Sequence, residues 1–252
     1  MTRLSVKTAG LTDQGQVRTN NEDAVWVDPE LGLLIVADGM GGHQSGEVAS
    51  GIAVSSIPEN LSQLTKTQNA GETNGQGFSV ETNRLGFCFK IANQEIFEAA
   101  KRDPHDNGMG TTCTAILIHG DRLSMAHVGD SRCYLIRDGE MEQLTEDHSL
   151  EPLRNQNILT RSLGTQPEVR IDLDEHPLFA GDVLLLCSDG LAKELTKPQV
   201  LQTVMETPQP QELAQRLIDM ANAAGGRDNI TVAVARIEKA GLGQWIKGLF
   251  KK

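Results

Sequence analysis

The sequence predicts an α+β fold in which antiparallel sheets carry helices on their outer faces. Three observations carry that prediction. Short apolar or alternating segments recur along the chain with Gly, Asn and Asp between them. Paired stretches of helical periodicity interrupt these strands, and no regular strand–helix–strand alternation of the kind that builds parallel sheets is present. There are no internal repeats, and 252 residues suffice for one sizeable core.

The elements follow in order. Leu4 to Leu11 alternates as a strand and runs into the polar stretch Thr12 to Asp23. Val25 to Val27 and Leu33 to Ala37 form two strands of a meander, the second ending on Asp38 and passing into a loop with glycines at 39, 41 and 42 before His43. Gly46 to Leu64 is helical, with Val48, Ile52, Ser55 and Ser56 on a small-residue face and a break expected at Pro58. Thr65 to Ser79 is a surface loop by composition. Leu85, Cys88, Phe89, Ala92, Ile96 and Ala99 recur at helical spacing within Val80 to Arg102, and Pro104 stops that helix.

Four closely spaced strands follow: Thr111 to His119, Arg122 to His127, Cys133 to Arg137 and Glu140 to Leu144. Turn residues at His119 to Asp121 and Asp138 to Gly139 predict an antiparallel meander. Val169 to Glu175 and Asp182 to Cys187 add two strands. Helices at Pro198 to Glu206 and Pro210 to Ala224 end before Gly225 and Gly226, and Ile230 to Ile237 closes the domain as a final strand.

Composition narrows the function. Hydrophobic residues make up 38% and charged residues 23%, a soluble globular balance. A net charge of -11 argues against nucleic acid, which needs a basic face, and makes metal ions the more natural partners. The segment after Arg3 and Lys7 lacks the apolar run of a secretory signal, and the longest apolar runs fall far short of a membrane span. Cys88, Cys113, Cys133 and Cys187 sit in apolar sequence without zinc or disulfide spacing, so buried thiols in a reducing cytoplasm are expected.

Chemistry enters through a recurrence. Three apolar strands end on an aspartate beside glycine, at Asp38, Asp130 and Asp189, and Asp228 immediately precedes the final strand. Any one such Asp serves equally well as a turn residue. Three strand exits and one strand entrance can share an edge of an antiparallel sandwich, however, and Glu22 and Asp23 can join them. So many like charges raise one another's pKa unless cations neutralise them. All-oxygen ligation selects Mg²⁺ or Mn²⁺, and two such ions sharing a carboxylate convert a bridging water into a hydroxide nucleophile near neutral pH.

The motifs R-T-N-N-E-D-A at Arg18 to Ala24, V-A-D-G-M-G-G-H-Q-S-G-E at Val36 to Glu47, G-T-T-C-T-A at Gly110 to Ala115 and V-G-D-S-R at Val128 to Arg132 continue as D-H-S-L at Asp147 to Leu150, T-R-S-L-G at Thr160 to Gly164, C-S-D-G-L at Cys187 to Leu191 and R-D-N-I-T at Arg227 to Thr231. In wording and order this set resembles the metal-dependent Ser/Thr protein phosphatases of type 2C in their compact bacterial form, over nearly the whole chain to Ile237. The resemblance implies a central antiparallel β-sandwich flanked by α-helices on both sides. It implies a phosphoprotein phosphatase acting on phosphoserine and phosphothreonine in one step, opposite a cognate Ser/Thr kinase. Asp38 would bridge two Mn²⁺ or Mg²⁺ ions, the Gly39 carbonyl would bind one, Asp189 and Asp228 would hold the other, and Glu22 and Asp23 would orient waters. Asp130 with Asp189 matches the position of a third, weaker ion. Arg18 matches the phosphate clamp and His43 the general acid for the leaving oxygen.

Two features depart from the family. Only Glu151 to Leu159 separate D-H-S-L from T-R-S-L-G, where bacterial members carry a longer flap that affects substrate access. Residues 1–238 are expected to form the phosphatase domain, and 239–252 an amphipathic basic tail with Leu242, Trp245, Ile246, Leu249 and Phe250 on one helical face. That tail suits a membrane surface or a partner, or equally docking on its own domain. A cytoplasmic monomer, peripheral to the membrane if the tail binds lipid, is the expectation. The rival from another class, a silent phosphatase fold that senses metal or a partner, would lack one of Asp38, Asp189 and Asp228, and none is missing. A phosphatase dedicated to one regulatory partner is the third possibility.

Overall fold

The computed structural model of the protein describes residues 4–41, 45–66, 77–106, 108–150 and 158–240. In chain order the elements are β1 (Leu4–Asp13), β2 (Asp23–Asp28), β3 (Leu33–Met40), α1 (Ser45–Lys66), α2 (Val80–Arg102), β4 (Gly110–Thr111), β5 (Cys113–His119), β6 (Arg122–Val128) and β7 (Arg132–Arg137). They continue as β8 (Glu140–Gln143), β9 (Ser149–Leu150), β10 (Ile158–Leu159), β11 (Asp172–Pro177), β12 (Val183–Cys187), α3 (Asp189–Glu194), α4 (Lys197–Glu206), α5 (Pro210–Ala224) and β13 (Ile230–Lys239).

Two antiparallel sheets form the centre. One is ordered β1-β13-β12-β7-β8, the other β11-β6-β5-β3-β2, with β4 added to the end of β3 and a small β9-β10 ribbon apart. Three apolar layers hold them. Leu34, Val36, Ile116, Leu184, Leu186 and Ala233 fill the space between the sheets. Leu33, Ile35 and Ala37 pack outward onto α1 and α2, and Leu185, Cys187, Val232 and Val234 pack outward onto α3, α4 and α5. Side chains alternate across a strand, so a strand between a second sheet and a helix layer is apolar at every position. That is why L-L-I-V-A and V-L-L-L-C read as unbroken runs. The arrangement is the predicted sandwich with helices on both sides, and all four cysteines are buried free thiols.

Five local expectations are corrected. Asp38 does not end its strand: β3 continues to Met40, because Gly39 and Met40 pair with Thr111 and Gly110 of β4. Pro58 does not break α1, whose buried stripe is Ala49, Ala53, Ile57 and Leu61 rather than Val48 and Ile52. Packing of that stripe outweighs the roughly 3 kcal/mol that an interior proline costs. The four-strand meander is two hairpins in different sheets, β5–β6 and β7–β8, with the chain crossing over at Gly129 to Ser131. Gly129 makes the crossing with a φ of 114°, where a side chain would strike Thr112. Finally, β11 starts at Asp172 rather than Val169, and β13 runs through Lys239, paired with Leu4, rather than ending at Ile237. The rest of the tail, residues 241–252, lies outside the described residues. Among the described residues no helix is long and apolar enough to cross a membrane.

Candidate metal centre

Strand register brings the acids to one edge of the sandwich. Asp23 at the start of β2 lies opposite Asp38 near the end of β3. Cys113 at the start of β5 pairs with Val128 at the end of β6, two residues before Asp130. In the other sheet, Cys187 at the end of β12 pairs with Arg132 on one side and with Val232 on the other, which sets Asp189 beside Asp228 ahead of β13. A cleft of about 620 Å³ opens there, and Arg18, Glu22, Asp38, Gly39, Asp130, Asp189 and Asp228 all line it. Asp23 is buried, 7% exposed. Of the predicted residues only His43 cannot be placed, since it lies outside the described residues, as do 151–157 of the short flap.

Backbone and hydroxyl contacts fix these side chains. The Asp38 N–H donates to Thr112 Oγ1 at 3.0 Å, and Thr112 Oγ1 lies 2.7 Å from Ser131 Oγ, which ties the bridging candidate to the Asp130 turn. The Asp38 carbonyl accepts from the Thr112 N–H and from Thr111 Oγ1. Thr231 Oγ1 donates to Asp23 Oδ2 at 2.6 Å. Gly39 passes so close to α1 and to Glu22 that a Cβ would overlap the carbonyl oxygens of Gly46 and Glu22. Asn229, 6% exposed, donates to the carbonyls of Gln14 and Asn20 at 2.9 and 2.8 Å and accepts from the Glu22 N–H at 2.9 Å. It thereby fastens the segment carrying Arg18 and Glu22 to the root of β13.

Two cations enter among the carboxylates. Arg18 Nη2 meets both oxygens of Asp228, at 2.9 and 3.0 Å. Lys193, one helical turn after Asp189 on α3, pairs with Asp189 Oδ2 and stands 3.6 Å from Asp228 Oδ2. Even so, burial pushes the Asp23 carboxyl up to about 7, against hydrogen bonds from Thr231 and Ser188 that favour the ion. Burial and the neighbouring Asp23, Asp189, Asp130 and Asp228 hold Asp38 well above the usual carboxylate range. Asp189 is raised as well, by burial first, with Lys193 working against it.

The residues fit a pair of hard divalent cations. The anionic groups that line the cleft among the described residues are all carboxylates, Glu22, Asp38, Asp130, Asp189 and Asp228, hard oxygen ligands that suit such ions. Asp23 Oδ1 and Asp189 Oδ1 are buried with no hydrogen-bond partner, an arrangement a neutral cleft would not retain. Among the described residues no three acids are already drawn onto a single point, and Arg18 and Lys193 hold the two outermost carboxylates instead. Reading the sequence singled out neither Lys193 nor Asn229 for a role. The i, i+4 spacing of Asp189 and Lys193 was the available signal for the first; a polar residue directly before an apolar strand was the weaker one for the second.

The sequence model described as protein phosphatase 2C matches residues 13–222. The serine/threonine protein phosphatase PstP of Mycobacterium tuberculosis is 37% identical over 258 residues, covering 96% of this chain and 47% of PstP. The chain therefore spans about half the length of that relative. The serine/threonine phosphatase stp of Listeria innocua is 38% identical, with 88% of this chain and 92% of the relative covered. Among solved structures, the catalytic domain of PstP in complex with two manganese ions superposes with a TM-score of 0.80 at 37% identity, over 93% of this chain and 99% of that one.

Proposed function

Because the chain belongs to the protein phosphatase 2C family, we propose that it hydrolyses phosphoserine and phosphothreonine on proteins in the acidic cleft at the sandwich edge. The observation that carries the reading is the convergence of Asp23, Asp38, Asp130, Asp189 and Asp228 from both sheets, with Arg18 on the rim. Asp38 with the Gly39 carbonyl, and Asp189 with Asp228, would hold two Mn²⁺ or Mg²⁺ ions, with Glu22 and Asp23 orienting their waters. When bound, such ions polarise the phosphoryl oxygens and lower the pKa of water.

The chain's own groups supply the rest. Arg18 is half exposed, so its planar fork can exchange Asp228 for two phosphate oxygens. Asn229 and Thr112 hold the acid-bearing segments in place, so that the cleft is built before substrate arrives. His43 is the proposed donor of the proton to the departing serine or threonine oxygen.

The substrates are phosphoproteins made by a Ser/Thr kinase, in the cytoplasm, and the enzyme acts as a monomer. We assign the catalytic unit to residues 1–238 together with the last strand residue, and a partner- or membrane-contacting role to the segment beyond it. Purified protein with millimolar Mn²⁺ should release phosphate from a phosphothreonine peptide and from p-nitrophenyl phosphate. No release from either would overturn the reading.

A further inference from the structure

Among the described residues Lys193 is the one basic residue of the cleft wall besides Arg18, and its position is built rather than incidental. It stands on α3 four residues after Asp189, and its ammonium pairs with Asp189 Oδ2 while reaching Asp228 Oδ2 at 3.6 Å. The two oxygens of Asp189 are thus in different situations. Oδ1 is buried and has no hydrogen-bond partner, whereas Oδ2 is covered by the ammonium.

We propose that Lys193 is a tethered cation that takes the place of a third metal ion, confining the centre to two. This rests on the two-ion reading above. The inner oxygen, Oδ1, remains open to an ion shared with Asp38 and Asp228. A further ion between Asp189 and Asp130 would need Oδ2, and it would meet the ammonium there at close range in a partly desolvated cleft. Charge balance agrees: Glu22, Asp23, Asp38, Asp130, Asp189 and Asp228 are neutralised by two divalent ions together with Arg18 and Lys193. An ammonium on a side chain cannot dissociate, so this part of the balance is present at any metal concentration. Lys193 is therefore a positioning residue that keeps Asp189 and Asp228 oriented when metal is scarce.

The test is Mn²⁺ stoichiometry by equilibrium dialysis and electron paramagnetic resonance, with MnCl₂ alone, on the full chain. Wild type should bind two ions at millimolar Mn²⁺. Lys193→Asp, which supplies an oxygen ligand at the same point, should bind three. Lys193→Met, close in shape and uncharged, should lower the melting temperature of the metal-free protein while leaving that of the Mn²⁺-loaded protein within a degree or two. Circular dichroism is the check that both variants fold. Three ions in wild type, or two in Lys193→Asp, would overturn the proposal while leaving the two-ion centre intact. Wild type binding no ion would remove the centre itself and the proposal with it.

Discussion

Asp23 and Asp38 face each other directly across β2 and β3. Next to them the Gly39 N–H donates to the Glu22 carbonyl, while the amides of Asp23 and Asp38 bond elsewhere, to Asn21 Oδ1 and Thr112 Oγ1. The two aspartates are therefore a non-hydrogen-bonded pair, the closer of the two antiparallel arrangements, with side chains on one face. Like charges so placed destabilise a sheet. Retaining them at a buried strand end marks a site shaped for binding cations at the expense of stability.

A pH dependence with a definite sign follows. Asp23 titrates near 7 in the fold against an ordinary value of 3.8, so between those values the folded state holds more protons than the unfolded one. Stability of the metal-free protein should thus fall as pH rises from about 4 through about 7. His127 works in the opposite sense: burial and the neighbouring His148 lower it to about 4, so its contribution is lost as pH falls from 6.5 toward 4. The Asp23 effect is read as the difference between wild type and Asp23→Asn in urea melts. That difference should grow with pH in the absence of metal and flatten with Mn²⁺; a flat metal-free difference would contradict the assignment.

Asp38→Asn should separate stability from activity. Replacing a carboxyl whose ionised form burial and four neighbouring aspartates disfavour should raise the melting temperature of the metal-free protein, while turnover drops by roughly a thousandfold or more, as when an essential site group is lost. Residual Mn²⁺-dependent hydrolysis near the wild-type rate would defeat the bridging role.

Most of the sandwich was legible because burial on both faces leaves apolar runs that nothing else explains, as in Leu33 to Ala37 and Val183 to Cys187. What stayed hidden depends on partners distant in sequence. Gly39 reads as a turn residue, yet it continues β3 because Thr111 pairs with it and only a residue without a side chain fits against Gly46. The hairpins at Gly120 and at Asp138 and Gly139, with φ of 63°, 52° and 82°, were local and were found. The change of sheet between β6 and β7 has no periodic signature. α3 is six residues, too short for helical periodicity to show, so the placement of Lys193 beside Asp189 has no periodic signature in sequence. Acids placed at strand ends are a pattern in sequence; the cations and amides beside them, Lys193 and Asn229, are not.

Metal should also stabilise. One metal ion that binds only the folded cleft, at a concentration one hundredfold above its dissociation constant, adds about 2.7 kcal/mol. For a chain of this size that corresponds to a rise of roughly 5–10 °C. Calorimetry with and without Mn²⁺, followed by EDTA reversal, measures it; an unchanged melting temperature would contradict a metal centre in this cleft.

Gly39→Ala places a methyl group against the Gly46 and Glu22 carbonyls, both of them backbone with no rotamer to yield. Overpacking of this kind costs about 1–3 kcal/mol. Because the displaced elements carry Glu22 and the start of α1, Mn²⁺ affinity should fall together with the urea midpoint. A variant with wild-type affinity and midpoint would mean that the approach of β3 to α1 is loose.

Asn229→Ala tests whether the cleft depends on a residue that is not itself expected to hold metal. The side chain joins three backbone groups, the Gln14 and Asn20 carbonyls and the Glu22 N–H. Its removal leaves these polar groups near the cleft floor short of partners, at about 1–3 kcal/mol for each that stays buried and unsatisfied. The larger consequence is positional. Arg18 and Glu22 lie on the segment that Asn229 anchors, and Arg18 is half exposed, with Asp228 as its ionic partner. Once the segment is released, the guanidinium should spend less time where a phosphate would sit, so KM for a phosphothreonine peptide should rise several-fold. A loss confined to the metal side would instead lower kcat at fixed Mn²⁺ and be relieved by adding more of it. A KM increase that excess Mn²⁺ does not restore is therefore the result expected of an anchor for the phosphate-binding arm, and an unchanged KM would assign Asn229 to stability alone.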